Sequence, residues 1–174
     1  MKAAAVFLLL ATLSGCGYHV AGTPGVSGDA LPKTIHTIAV PPIKNTTIQY
    51  KLSDVLNTYI SRELISRTKY KIVPDPNGAD AILTAAVVNL SSYPTIFDPI
   101  AGRATGTQII VTVTFTLRDK SGAVIITRPN FEVRERYEIS IDPKQYFDES
   151  EPAMQRLATD VSRDIVSAIL NSKF

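Results

Sequence analysis

The 174-residue chain has one cysteine, no tryptophan and two histidines. A single cysteine excludes an intramolecular disulfide. The scarcity of histidine and cysteine argues against a zinc site, which draws three or four ligands from such residues. His19 lies in a stretch rich in Gly and Pro, and His36 alternates with Ile35 and Thr37 in a strand-like segment, so neither has a base or nucleophile beside it in the pattern. No acid, base and nucleophile set converges, and no Gly-rich phosphate loop opens a helix, since Gly102 and Gly106 fall between strands. The expectation is a protein without catalytic residues, metal or cofactor. The formal charge of +2 is too small for the concentrated basic field of a general nucleic-acid binder. No apolar run approaches the ~20 residues that a membrane-spanning helix requires.

The N-terminus does carry a signal. Lys2 supplies a positive charge, Ala3 to Leu13 form a short apolar run, and Leu13-Ser14-Gly15-Cys16 closes it. Charge, apolar core and small residues are the parts of a secretory signal peptide. A bulky apolar residue and two small ones ahead of cysteine make a bacterial lipobox, in which the thiol accepts a diacylglycerol before cleavage. Residues 1–15 are therefore expected to be removed and Cys16 to carry the covalent lipid. One acyl chain binds a membrane marginally, whereas two or three anchor it firmly. By resemblance to lipoproteins of two-membrane bacteria, Gly17 in place of aspartate favours passage to the outer membrane, with the protein facing the periplasm.

Residues 16–33 read as a lipidated tether and lead-in, and residues 34–174 as one α+β domain. Thr34 to Val40 is β-branched and stops at Pro41-Pro42, as a buried strand does. Leu52, Val55, Leu56, Tyr59, Ile60 and Leu64 predict an amphipathic helix over about 49–67. Tyr70 to Val73 is a short apolar piece before the turn residues 75–80. Three long alternating segments follow. Leu83, Ala85, Val87 and Asn89 oppose Ile82, Thr84, Ala86, Val88 and Leu90. Ile109, Val111, Val113, Phe115 and Leu117 oppose threonines. Phe131, Val133 and Tyr137 oppose Glu132, Arg134, Arg136 and Glu138. The second and third segments join at a hairpin near Asp119 to Gly122. Met154, Leu157, Ala158, Val161, Ile165, Ala168 and Ile169 form a helical stripe after Ser150. The predicted architecture is a two-layer sandwich, with two helices on one face of a mixed sheet of about four strands. The other face is bare, lined by threonines and by Arg134, Glu135 or their neighbours according to register.

Two loops invite a binding role. Residues 93–106 place Phe97 and Ile100 around one cation, Arg103, a combination suited to an amphipathic anion whose phosphate meets the guanidinium. Residues 141–149 repeat the theme with Lys144, Tyr146 and Phe147. Asp75, Asp80, Asp98 and Asp142 adjoin turn residues and are expected to cap turns. Asn45-Thr46-Thr47 matches a glycosylation sequon, which is permissive and means little in a bacterial lipoprotein.

The ordered set Cys16-Gly17-Tyr18-His19-Val20, Leu31-Pro32, Thr37-Ile38-Ala39-Val40-Pro41, Asn45-Thr46-Thr47 and Ala79-Asp80-Ala81-Ile82-Leu83 resembles the LptE family of lipopolysaccharide-assembly lipoproteins. The resemblance implies a non-enzymatic protein that plugs the outer-membrane β-barrel LptD, helps assemble it and binds lipopolysaccharide for insertion at the outer leaflet. It implies a lipopolysaccharide contact at Arg103, in the loop between the middle strands; by the loop reading above, Lys144 is a second candidate lipopolysaccharide contact and Phe97, Ile100 and Tyr146 are candidate partner contacts. The alternative is an envelope lipoprotein that regulates or scaffolds another machine, in peptidoglycan synthesis or secretion.

Overall fold

A computed structural model describes residues 31–49, 51–100, 102, 104–139 and 150–172. The elements in chain order are β1 (Thr37–Ala39), β2 (Lys44–Asn45), α1 (Lys51–Arg67), β3 (Lys71–Val73), β4 (Ala81–Phe97), β5 (Ala104–Asp119), β6 (Val124–Glu138) and α2 (Ser150–Leu170). They form a mixed sheet ordered β3-β1-β4-β5-β6, with β2 added to β4. β1 is parallel to both β3 and β4, β2 is parallel to β4, and β4-β5-β6 is an antiparallel meander. The α+β class is as expected. Among the described residues the sheet has six strands instead of about four, because the two-residue β2 is too short to leave a pattern and the 70–73 piece forms an edge strand of its own.

The alternation of β5 organises the core. Ile109, Val111, Val113, Phe115 and Leu117 are all buried on the face that the helices cover. They meet Leu83 and Val87 of β4 and Ile126 and Val133 of β6 in one cluster. Phe115 packs edge-on against Phe131, with centroids 5.9 Å apart. The helices supply the other layer. Leu52, Leu56, Ile60 and Leu64 repeat every four residues along α1, which puts them on one stripe. The α2 stripe holds Leu157, Ala158, Val161, Ile165 and Ile169, as expected, and adds Ala153, Ser162 and Val166. Met154 and Ala168 are only partly buried at its margin. Leu31, ahead of β1, belongs to the same cluster. Arg67 ties the helices together, donating to Ser167 Oγ at 2.8 Å and pairing with Glu63.

Two departures from simple alternation matter for the sheet faces. A bulge between Val87 and Asn89 shifts the register of β4, so Leu90 pairs with Val111 and joins the helix side. The expected grouping of Leu90 with Ile82, Thr84 and Ala86 is thereby overturned. In β6, Glu135 pairs with Ile109 on the covered face and reaches Arg156 of α2, leaving Arg134 opposite Ile110 on the bare one. A second bulge lies at Pro129-Asn130, where Asn130 has φ 53°. Proline is tolerated there because β6 is an edge strand.

Candidate functional site

β4 and β5 outrun the helical layer. From Ser92 to Phe97 every residue of β4 is exposed, and this stretch of hairpin extends about 20 Å at 3.3 Å per residue. The expected long loop over 93–106 is corrected accordingly: the strands continue through Phe97 and resume at Ala104, so the connection is residues 98–103. Tyr93, Thr95 and Ile96 are good strand formers, but among the described residues no layer covers them and no apolar-polar alternation marks them as a strand. The turn is closed by its own polar groups. The Ile100 N–H donates to Asp98 Oδ1 at 2.7 Å, and the Gly102 N–H donates to the Asp98 carbonyl at 2.9 Å. Gly102 has φ 61°, a left-handed conformation that favours glycine.

The tip is apolar. Phe97 is 61% exposed and Ile100 97%, with Tyr93 at 54% and Ile96 at 46% behind them. Four large apolar side chains at one end of a hairpin are more than scattered surface residues. Of the residues expected to form the site, Phe97 and Ile100 both lie exposed at this end of the hairpin. Arg103, Lys144, Tyr146 and the lipidation residue Cys16 lie outside the described residues. Tyr93 and Ile96 are the members that sequence reasoning did not single out.

The face of the sheet away from the helices carries threonine hydroxyls and an ion pair beside Ile82, Ala86 and Ile110. Thr84 Oγ1 donates to the Thr116 carbonyl at 3.2 Å, and the Thr116 and Thr127 hydroxyls share a bond of 2.9 Å. Glu132 and Arg134 pair at 3.2 Å on the same face. A shallow depression of about 380 Å³ lies here between Pro41, Pro42, Lys44, Thr84, Thr114 and Thr116. On the helix side, a groove of about 300 Å³ opens where the helices end and the bare hairpin begins, lined by Ile48, Leu90, Ile109, Tyr137 and Met154.

The acidic residues expected in turns do structural work. Asp80 accepts the backbone N–H groups of His36 and Thr37, and these bonds hold its carboxyl below the ordinary range. Asp119 accepts from the Ser121 hydroxyl, and from the Ser121 and Ala123 N–H groups, with the same consequence. Asp75 accepts the Asn77 N–H. Asp142 lies outside the described residues. Asn45 is engaged on both sides of its amide, accepting from Thr47 and donating to the Gln49 carbonyl. Its neighbour Thr46 bonds the Val87 carbonyl through both N–H and hydroxyl. The Asn-Thr-Thr motif thus staples β2 to β4 and turns the chain into α1. Among the described residues, no three His, Cys, Asp or Glu side chains gather as metal ligands would.

The family model LptE, described as lipopolysaccharide-assembly, matches residues 35–169, which take in β1 to β6, α1 and all but the last residue of α2. No curated protein matches the chain. Among solved structures, the uncharacterized lipoprotein B of Nitrosomonas europaea is similar, with 16% identity, a TM-score of 0.59, and coverage of 88% of this chain and 92% of that one. A protein from Xanthomonas campestris gives 12% identity, a TM-score of 0.59, and coverage of 83% and 89%. At such identities the likeness speaks for the fold alone.

Proposed function

The chain belongs to the LptE lipopolysaccharide-assembly family, and on that premise we propose that it is a non-enzymatic outer-membrane lipoprotein. Anchored through acylated Cys16 and facing the periplasm, it plugs an LptD-like β-barrel, helps that barrel assemble, and binds lipopolysaccharide at its bare hairpin.

The observation that carries this reading is the hairpin itself, with Phe97 and Ile100 exposed at its end. A group of exposed large apolar side chains at one end of a hairpin suits contact with an apolar partner. Acyl chains supply that surface, and Arg103 and Lys144 supply cations for the phosphates of the same molecule. Arg103 follows Gly102 in the sequence, which puts one cation close to the apolar pair along the chain. The threonine and ion-pair face suits a barrel lumen, whose interior is polar.

The test is purification of the lipidated full-length protein from native membranes in mild detergent. Recovery with a large outer-membrane barrel in stoichiometric amount is expected, and recovery alone would overturn the plug. For the lipid, Arg103→Glu should weaken binding in a direct lipopolysaccharide titration by repelling phosphate, and unchanged affinity would remove Arg103 from the site.

A further inference from the structure

Gly106 is buried at the far end of the hairpin, where β4 opposite it is exposed from Ser92 onward. The side chain nearest to where a Cβ would stand is that of Ile96. A Cβ on Gly106 would lie 3.0 Å from both Ile96 Cγ1 and Ile96 Cδ1, and 3.2 Å from Ile96 Cβ. Ile96 therefore occupies the space that a side chain at 106 would take. The backbone of Gly106 is not in the left-handed region, so the position needs glycine for room, not for its dihedral. The strand register breaks on both sides of this contact. Pro94 pairs with Thr107, Ile96 with Gly106, and Phe97 with Ala104, leaving Thr95 and Thr105 without cross-strand partners between β4 and β5. Irregularities of this kind re-aim side chains, and glycine within a strand marks close approach of another group.

We infer that Gly106 is a positioning residue for the apolar tip: Ile96 lies across its bare backbone and sets the aim of Phe97 and Ile100 toward the acyl portion of an anionic amphiphile. The Ile96–Gly106 pair keeps its place in the ladder, with the Ile96 side chain seated over the glycine backbone. Among the described residues no layer covers the tip, and its orientation depends on one absent methyl group. The ligand class rests on the reading given under Proposed function; the geometric role of Gly106 does not.

The experiment uses the lipidated full-length protein with spin labels at Ile100→Cys and Thr58→Cys, the native Cys16 being acylated. Gly106→Ala should shift the distance between the labels, and Ile96→Ala in the same molecule should return it toward the original value by removing Cγ1 and Cδ1. In unlabelled protein, Gly106→Ala should bind purified lipopolysaccharide roughly tenfold more weakly, as expected for an overpacked contact, with part of the loss recovered in the double variant. An unchanged distance in Gly106→Ala would overturn the positioning role. Ile100→Ser is the control for the ligand: if it leaves lipopolysaccharide binding intact, the functional reading fails while the distances still decide the role of Gly106.

Discussion

Asp80 and Thr37 exchange two hydrogen bonds. The Asp80 N–H donates to the Thr37 carbonyl at 3.0 Å, and the Thr37 N–H donates to the Asp80 carboxylate at 3.0 Å. The same carboxylate oxygen takes the His36 N–H at 2.9 Å. One side chain thus fixes where β1 enters the sheet relative to the start of β4. The Asp80 carbonyl also accepts the Lys120 N–H, which brings the β5-β6 turn to the same corner.

This arrangement sets a pH dependence. The His36 and Thr37 N–H groups favour the charged form of Asp80 and lower its pKa from 3.8. A depressed pKa contributes stability that is fully present above the unfolded value and is lost as pH falls through the folded one. Asp119 is depressed as well, chiefly by the Ser121 hydroxyl, so the acid limb of the wild-type curve belongs to both groups. Asp80→Ala and Asp119→Ala should each lower the melting temperature at pH 7, and the gap to wild type should shrink below about pH 4. A gap independent of pH in Asp80→Ala would show that the carboxylate charge contributes nothing.

Phe115 sits at the centre of β5 with no exposed surface and its ring edge-on to Phe131. Phe115→Ala should cost about 3–5 kcal/mol in urea unfolding, the usual range for a buried aromatic with a cavity left behind. Arg67→Ala, which breaks a partly exposed link between the helices, should cost less than ~1 kcal/mol. The contrast places stability in the layer between sheet and helices, not in surface pairs.

Asn45→Ala removes the acceptor of the Thr47 N–H and hydroxyl and the donor to Gln49. The expected loss is about 1 kcal/mol. Faster amide exchange at Thr47, and in the first turn of α1, should accompany it. Exchange confined to fast global unfolding would argue that the staple does not act locally.

Legibility in the sequence followed the presence of a covering layer. Where helices cover a strand, one face must be apolar, and the odd positions from Ile109 to Leu117 announced β5 correctly. The two helical stripes were legible for the same reason, because each faces a single core. The bulge at Val87 was not, since Ala85, Ala86, Val87 and Val88 would suit either face, and one inserted residue exchanges the faces beyond it. Nor was the hairpin length, for among the described residues no layer covers 92–97 to impose alternation. Phe97 and Ile100 could be named as apolar members of the site from composition. The seat of Ile96 on Gly106 could not, because it is a contact across strands whose register the sequence does not print.

The apolar tip offers the sharpest separation of stability from function. Ile100 is 97% exposed, so Ile100→Ser removes almost no buried surface and should leave the melting temperature unchanged. Burial of an isoleucine by a ligand is worth up to about 1.5–3 kcal/mol, so affinity for lipopolysaccharide should fall roughly tenfold or more if the acyl chains enclose it. Phe97→Ser should act in the same direction and somewhat less, because its ring is already partly covered in the free protein. Arg103→Glu should show a different signature, with a loss that lessens as salt rises, because its interaction is with phosphate. A titration at two ionic strengths with these three variants separates the apolar from the ionic contribution. Equal salt sensitivity in all three would mean that the tip does not meet acyl chains.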